Sequence, residues 1–227
     1  MNGGLYTQLL DLACGAFLLA AVLVLWRREL AVIVRVFALQ GVALAALAVL
    51  LGAHEQRWDL IGVGIGVGVL RAGLVPHLMR RALTVLSADP AHREEVRETQ
   101  PLVNVAASLL TAALLTLLAY AVARPLTALN PTPATRALPV GLAVVLIGFF
   151  VLVTRRRALA QVVGFLLLDN GITATALLAT SGVPLIVELG VSFDVLLAVL
   201  VLQILTTRMR EAFGTTDLDD LRELHDQ

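Results

Sequence analysis

Seven stretches of roughly 20 mainly apolar residues follow one another along this chain. At a rise of about 1.5 Å per residue, a helix of that length crosses the ~30 Å interior of a bilayer. The expected spans are 5–26, 30–51, 60–78, 101–123, 137–153, 158–180 and 186–206, the fifth being short. Inside hydrocarbon each backbone polar group must be satisfied within the structure, which leaves helices or a closed barrel. A barrel would show alternating strands of about ten residues, and none is present. The expected fold is all-α, a polytopic membrane bundle of seven transmembrane helices. Tight turns such as Arg27-Arg28-Glu29 and Arg155-Arg156-Arg157 make consecutive helices neighbours in space.

Composition agrees. Hydrophobic residues make up 59% of the chain and charged residues 15%. A soluble domain carries about 25% charged residues, so much of this surface meets lipid. The net charge of zero points to no nucleic-acid partner. The single cysteine, Cys14, excludes an intramolecular disulfide and a cysteine-based metal cluster within the chain. No basic residue precedes Arg27, and Asp11 three places before Cys14 does not suit a lipoprotein cleavage site. The first stretch therefore reads as a retained span rather than a cleaved signal.

Every Lys/Arg position is Arg, and its distribution sets a direction. With the N-terminus outside and the C-terminus in the cytoplasm, the cytoplasmic segments hold Arg27, Arg28, Arg80, Arg81, Arg93, Arg97, Arg155, Arg156, Arg157, Arg208, Arg210 and Arg222. The outer segments hold only Arg57, Arg124 and Arg136. That is the positive-inside bias of a multi-pass protein of the cell membrane. Residues 22–39 and 148–168 also look alike at an offset of about 128. Each ends one span, turns on arginines and begins the next with a phenylalanine, Phe37 or Phe165. An internal repeat would then divide the chain as three, one and three spans.

Ionisable groups inside the spans are costly, and each is a candidate for function. Asp169 stands in the middle of the sixth span, too far from either end to snorkel, with Asn170 beside it. It reads either as a proton-transfer group or as a polar staple to a neighbouring helix. Asp194 and Glu188 share the seventh span but point to different sides. Arg71, mid-way along the third span, needs a counter-charge or a wet cavity, and Asp11 and Asp194 are the candidates. An ion pair and a pathway charge are equally open. Arg35 is close enough to its helix end to snorkel. Gln40 falls near the position that the repeat pairs with Asp169. His77, beside Pro76, reads as an interfacial histidine or a relay member. Asp11 and Gln161 are weaker candidates, and Asn104 and Gln203 suit hydrogen bonds between helices. No catalytic, cofactor-binding or metal-ligand motif is present. The glycine-rich run 62–70 lies inside a span, where glycines permit close helix packing rather than nucleotide binding. The loop 79–100 carries both signs of charge. The tail 209–227 begins with a capping-box-like Thr216 and Asp219 and continues as an amphipathic, acid-flanked helix suited to a protein partner.

The sequence GFLLLDNGITATALLATSG (164–182), followed by PLIVELGVSFDVLLAVLVLQILTTR (184–208), resembles the component E family of hydrogenase-4 and formate hydrogenlyase-like complexes. The C-terminal helices of that family are similar to NuoK of respiratory complex I and MrpC of multisubunit cation/proton antiporters. The resemblance is clearest over 150–208. It implies an N-terminal four-helix region (1–123), a NuoK-like three-helix region (137–208) and a cytoplasmic tail (209–227). The family's acid before Asn-Gly is matched by Asp169, ahead of Asn170 and Gly171, though usually it is Glu. Its Val-Glu-Leu-Gly run is matched at Glu188 and its following acid at Asp194. By that likeness Asp169, Asp194 and Glu188 belong to a proton path in the membrane arm of an energy-converting redox complex. The chain itself would hold no cofactor, and nickel-iron and iron–sulfur centres would sit in partner subunits. Antiporter-like and other membrane subunits, soluble redox subunits on the cytoplasmic side and lipid would be its neighbours. A purely structural membrane anchor, a subunit of an Mrp-type antiporter and a stand-alone transporter are the alternatives.

Overall fold

The structure is a computed structural model of the whole chain, described over residues 3–88, 104–155 and 158–180. No strand occurs among the described residues, and the elements are helices α1 (Gly3–Trp26), α2 (Leu30–His54), α3 (Trp58–Gly68), a π-helical segment (Val69–Leu74), α4 (Val75–Ala88), α5 (Val105–Leu129), α6 (Pro133–Thr154) and α7 (Ala158–Thr180). The α3–π–α4 run acts as one span over Trp58–Arg81, so among the described residues six helices are long and apolar enough to cross a membrane. The first six expected spans coincide with them. The seventh, with Glu188, Asp194 and Gln203, lies outside the described residues, as do the tail and the loop beyond Ala88.

Three boundaries differ from expectation, each for a local reason. The third span does not stop at Leu78. Val75, Met79 and Leu83 are buried while Arg80, Arg81 and Thr84 are exposed, so an apolar stripe carries α4 onward beside α2. The fifth expected span is not short, because α6 starts four residues earlier and has 22 residues. Thr132 caps it by accepting from the Thr135 N–H, Thr135 reciprocates on the Thr132 N–H, and Pro133 takes the first turn, where no N–H is needed. Finally, α5 continues past Ala123 through Pro125, whose ring lies on the exposed side.

Short links make antiparallel hairpins of α1 with α2 and of α6 with α7. The Tyr6 ring stacks on His54, 3.8 Å apart, where the open ends of α1 and α2 meet. The two hairpins pack with α1 against α6 and α2 against α7. Phe17, Phe37, Leu10, Ile33, Leu44, Leu47, Ile147 and Leu167 fill the space between them. Glycines set how closely the helices approach. A Cβ at Gly171 would lie 2.5 Å from the Val145 nitrogen, one at Gly141 2.8 Å from the Thr175 nitrogen, and one at Gly64 3.0 Å from the Val49 nitrogen. In this way α7 lies backbone to backbone on α6, and α3 on α2. The periphery is held by α5, which buries only Ser108, Ala112, Ala119 and Ala123, a narrow line of small residues. Arg155 links the hairpins at the other end. It is 3% exposed, and its guanidinium donates to the Val24 and Leu25 carbonyls, which have no partner within α1 because the helix ends there.

Candidate functional site

Arg71 enters the bundle from the π-helical segment. Pro76 follows that segment by two residues, has no N–H, and would press its ring against the Ala72 carbonyl in a regular α-helix. The wider turn relieves this clash, and the Val75 N–H bonds to the Leu70 carbonyl five residues back. Gly41 on α2 lets the widened turn come close: a Cβ there would lie 2.8 Å from the Arg71 carbonyl carbon. The local sequence thus brings Arg71, 4% exposed, into the interior between α2 and α7.

Asp169 and Asn170 meet it from α7, both buried. Arg71 Nη2 lies 2.5 Å from Asp169 Oδ2 and 3.1 Å from Thr173 Oγ1. Arg71 Nη1 donates to Asn170 Oδ1. Thr173 follows Asp169 by one helical turn, and its hydroxyl also donates to the Asp169 carbonyl. Asn170 Nδ2 then donates to Gln40 Oε1 at 2.9 Å. The direction of this chain follows from Arg71, which has donors and no acceptor. Its demand fixes the Asn170 oxygen toward it, the Asn170 amide toward Gln40 and the Gln40 oxygen toward Asn170. Gln40 Nε2 is left buried, with no acceptor among the described residues.

The structure therefore brings together Asp169, Arg71 and Gln40 of the expected site residues. Arg71 pairs with Asp169, not with Asp11, the expected partner among the described residues. Asp11 is exposed on α1 and outside this cluster, and His77 is exposed on α4. Arg35 is exposed on α2. Asn104 caps α5, accepting from the Ala106 N–H, instead of bonding between helices. Gln161 donates to the Arg155 carbonyl. Thr173 escaped the sequence reading, although its place four residues after Asp169 on one helix face was the available signal. The described residues hold no group of three or more His, Cys, Asp or Glu that could take a metal ion. Chemically, the cluster is a buried carboxylate paired with a guanidinium, which also reaches the Thr173 hydroxyl and the Asn170 amide, with Gln40 bonded in turn to Asn170.

Comparison with known proteins adds relatives of two kinds. Over 226 residues and the full length of both chains, the sequence is 51% identical to the Mycobacterium tuberculosis protein called uncharacterized protein Rv0085. Over 115 residues it is 33% identical to hydrogenase-4 component E of Escherichia coli K12, a stretch amounting to 51% of this chain and 53% of that protein. Hydrogenase-4 component E of Shigella flexneri matches to the same extent. No family model matches, and no solved structure matches.

Proposed function

The chain belongs to one family with the Mycobacterium tuberculosis protein Rv0085, and from this and the partial match to hydrogenase-4 component E we propose that it is a multi-pass subunit of a hydrogenase-4-like, energy-converting redox complex in the cytoplasmic membrane. Its part would be proton transfer through buried acids, with Asp169 as the central group and Asp194 and Glu188 on the same path. The observation that carries this reading is the Asp169 carboxylate itself, 6% exposed in a membrane-spanning helix and in contact with Arg71. A group so placed is expensive to keep, and proton relays are where such expense is common. Gln40 and His77 would be accessory members, and Asp11 lies apart from them.

The finer topology belongs to the same proposal: seven spans, the N-terminus outside, the C-terminus inside and a NuoK-like last three spans. The side-by-side packing of α1 with α6 and of α2 with α7 favours the repeat, since these are the spans it pairs. Nickel-iron and iron–sulfur chemistry would be the work of partner subunits, and an antiporter-like membrane subunit would lie alongside.

Asp169→Asn in the native complex tests the reading, with assembly and proton-coupled activity measured separately. We expect assembly to persist and coupled activity to fall by about 100-fold or more, the scale of a lost acid–base group, with partial recovery in Asp169→Glu. Normal coupling in an assembled Asp169→Asn complex would overturn it. A second reading, a structural staple, is favoured by the 2.5 Å contact that already engages the carboxylate. That reading predicts normal coupling when Asp169→Asn and Arg71→Gln are combined.

A further inference from the structure

Among the described residues, Asp11 is the one strongly polar group placed in the middle of a span yet turned away from the bundle. In the 24-residue α1 it stands about 5 Å from the helix midpoint by helical rise. Its short side chain cannot reach the interface from there. It is exposed, and it makes no hydrogen bond or ion pair among the described residues. Around it, Gly4, Gln8, Asp11 and Gly15 recur at four- and three-residue intervals, so they form one outward stripe. A Cβ at Gly4 or Gly15 would meet nothing within 4 Å.

The peripheral helix shows what a lipid-facing surface of this protein looks like. The outward residues through the middle of α5 include Leu110, Leu114, Leu117 and Leu118, with no charged group among them, and its exposed Arg124 stands in the last two turns of the helix. The α1 stripe differs in kind. It combines small residues, which admit a second helix closely, with an amide and a carboxylate, which require donors.

The chain's own remaining apolar stretch supplies no basic partner for Asp11. Residues 181–206 contain Glu188 and Asp194 and no basic side chain, so they would oppose Asp11 with like charge. Arg93 and Arg97 follow α4 in sequence, and α4 ends at the same end of the bundle as Trp26, whereas Asp11 is displaced from the midpoint toward Gly3. A second copy of α1 related by two-fold symmetry would bring carboxylate against carboxylate.

We infer that the Gly4–Gln8–Asp11–Gly15 face of α1 is a docking surface for a transmembrane helix of a different subunit, and that this helix brings a Lys or Arg side chain to Asp11 inside the membrane. The inference rests on the chain being one subunit of a larger membrane complex. It does not depend on any proton-transfer role of Asp169.

The test uses the full chain expressed in its native membrane with its complex. A photo-crosslinking residue is placed at Gln8 on the stripe or at the exposed Leu12 beside it, and at Leu117 on α5 as a control. Crosslinks from positions 8 and 12 should fall on one membrane helix of another subunit, with a basic residue at the level of Asp11, and none should form from 117. Asp11→Leu should lower recovery of the intact complex on native gels by about tenfold or more, the effect of ~1.4 kcal/mol of lost contact. The amount of this subunit in the membrane should not change. Asp11→Arg should lower recovery further, and exchange of the partner's basic residue for Glu should restore it. Unchanged complex recovery in Asp11→Leu would overturn the inference. So would crosslinks confined to lipid, to a second copy or to residues 181–227 of the same chain. If the crosslinked subunit belongs to no hydrogenase-type complex, the docking surface stands and the proposed function fails. If Asp169→Asn leaves coupling intact while Asp11→Leu disrupts assembly, only the proton-transfer role fails.

Discussion

Removing one member of the Arg71–Asp169 pair leaves the other charge inside the bundle. Arg71→Met should therefore lower the stability of the detergent-solubilised protein by about 3–5 kcal/mol, read as a drop in thermal unfolding temperature. The double variant Arg71→Met/Asp169→Leu should recover most of that loss, because an apolar pair of similar size has no uncompensated charge to bury. A double variant no more stable than the single would show that the charges contribute more together than their separation from water costs. The sequence made both groups conspicuous, since each sits far from the ends of its span. It did not reveal that they meet. They are 98 positions apart, and their contact depends on how one hairpin lies on the other, which apolar periodicity does not encode. Asp11 looked equally eligible as a partner because depth is legible from sequence while the direction a side chain faces is not. A polar stripe such as Gln8 and Asp11 on α1 can turn inward to a partner helix or outward, and spacing alone does not choose between them.

At the scale of helices, spacing between backbones is set by a few glycines. Gly171→Ala should loosen the α6–α7 hairpin, because its Cβ would lie 2.5 Å from the Val145 nitrogen and neither backbone can yield. Gly62→Ala is the control: nothing lies within 4 Å of that Cβ, and the exchange should stabilise α3 by about 0.5–1 kcal/mol through helix propensity alone. Comparing the unfolding temperatures of the two variants checks both, and equal shifts would contradict the packing argument. The glycine run 62–70 was legible in the sequence as a packing device, and half of it is one. Gly64 and Gly68 face α2, while Gly62 and Gly66 are open. The π turn was not foreseen. Its cause, Pro76, was visible, but a proline inside a span can equally kink a helix or end it. Close approach of Gly41 on the opposing helix favours the widened turn, and that approach is a tertiary fact.

For the whole molecule, the positions of the described helices follow closely from the apolar stretches, because the thickness of a bilayer leaves little choice of length. In the sequence Arg155 marks only sidedness. In the structure it is also a tie between hairpins, and burial together with the nearby Arg28 charge holds its guanidinium below its ordinary pKa. Arg155→Met should cost about 1.5–3 kcal/mol, the range for hydrogen bonds from a charged donor, measured again by thermal unfolding. Arg155→Lys should recover part of it, since an ammonium can still serve the Val24 and Leu25 carbonyls but not both at once in the same geometry. The glycine contacts carry a further consequence, for how such a chain can change length. Gly141 meets Thr175, Gly148 meets Leu168, Gly164 meets Leu152 and Gly171 meets Val145, so four separate points share one antiparallel phase. An extra residue in the loop before Ala158 can bulge outward and leave all four in step. The same residue inserted between Gly164 and Leu168 would put one pair out of phase with the other three and turn Asp169 about 100° around its helix relative to Gly164. Insertions and deletions compatible with this fold should therefore collect in the turns, and the helices should evolve by substitution alone.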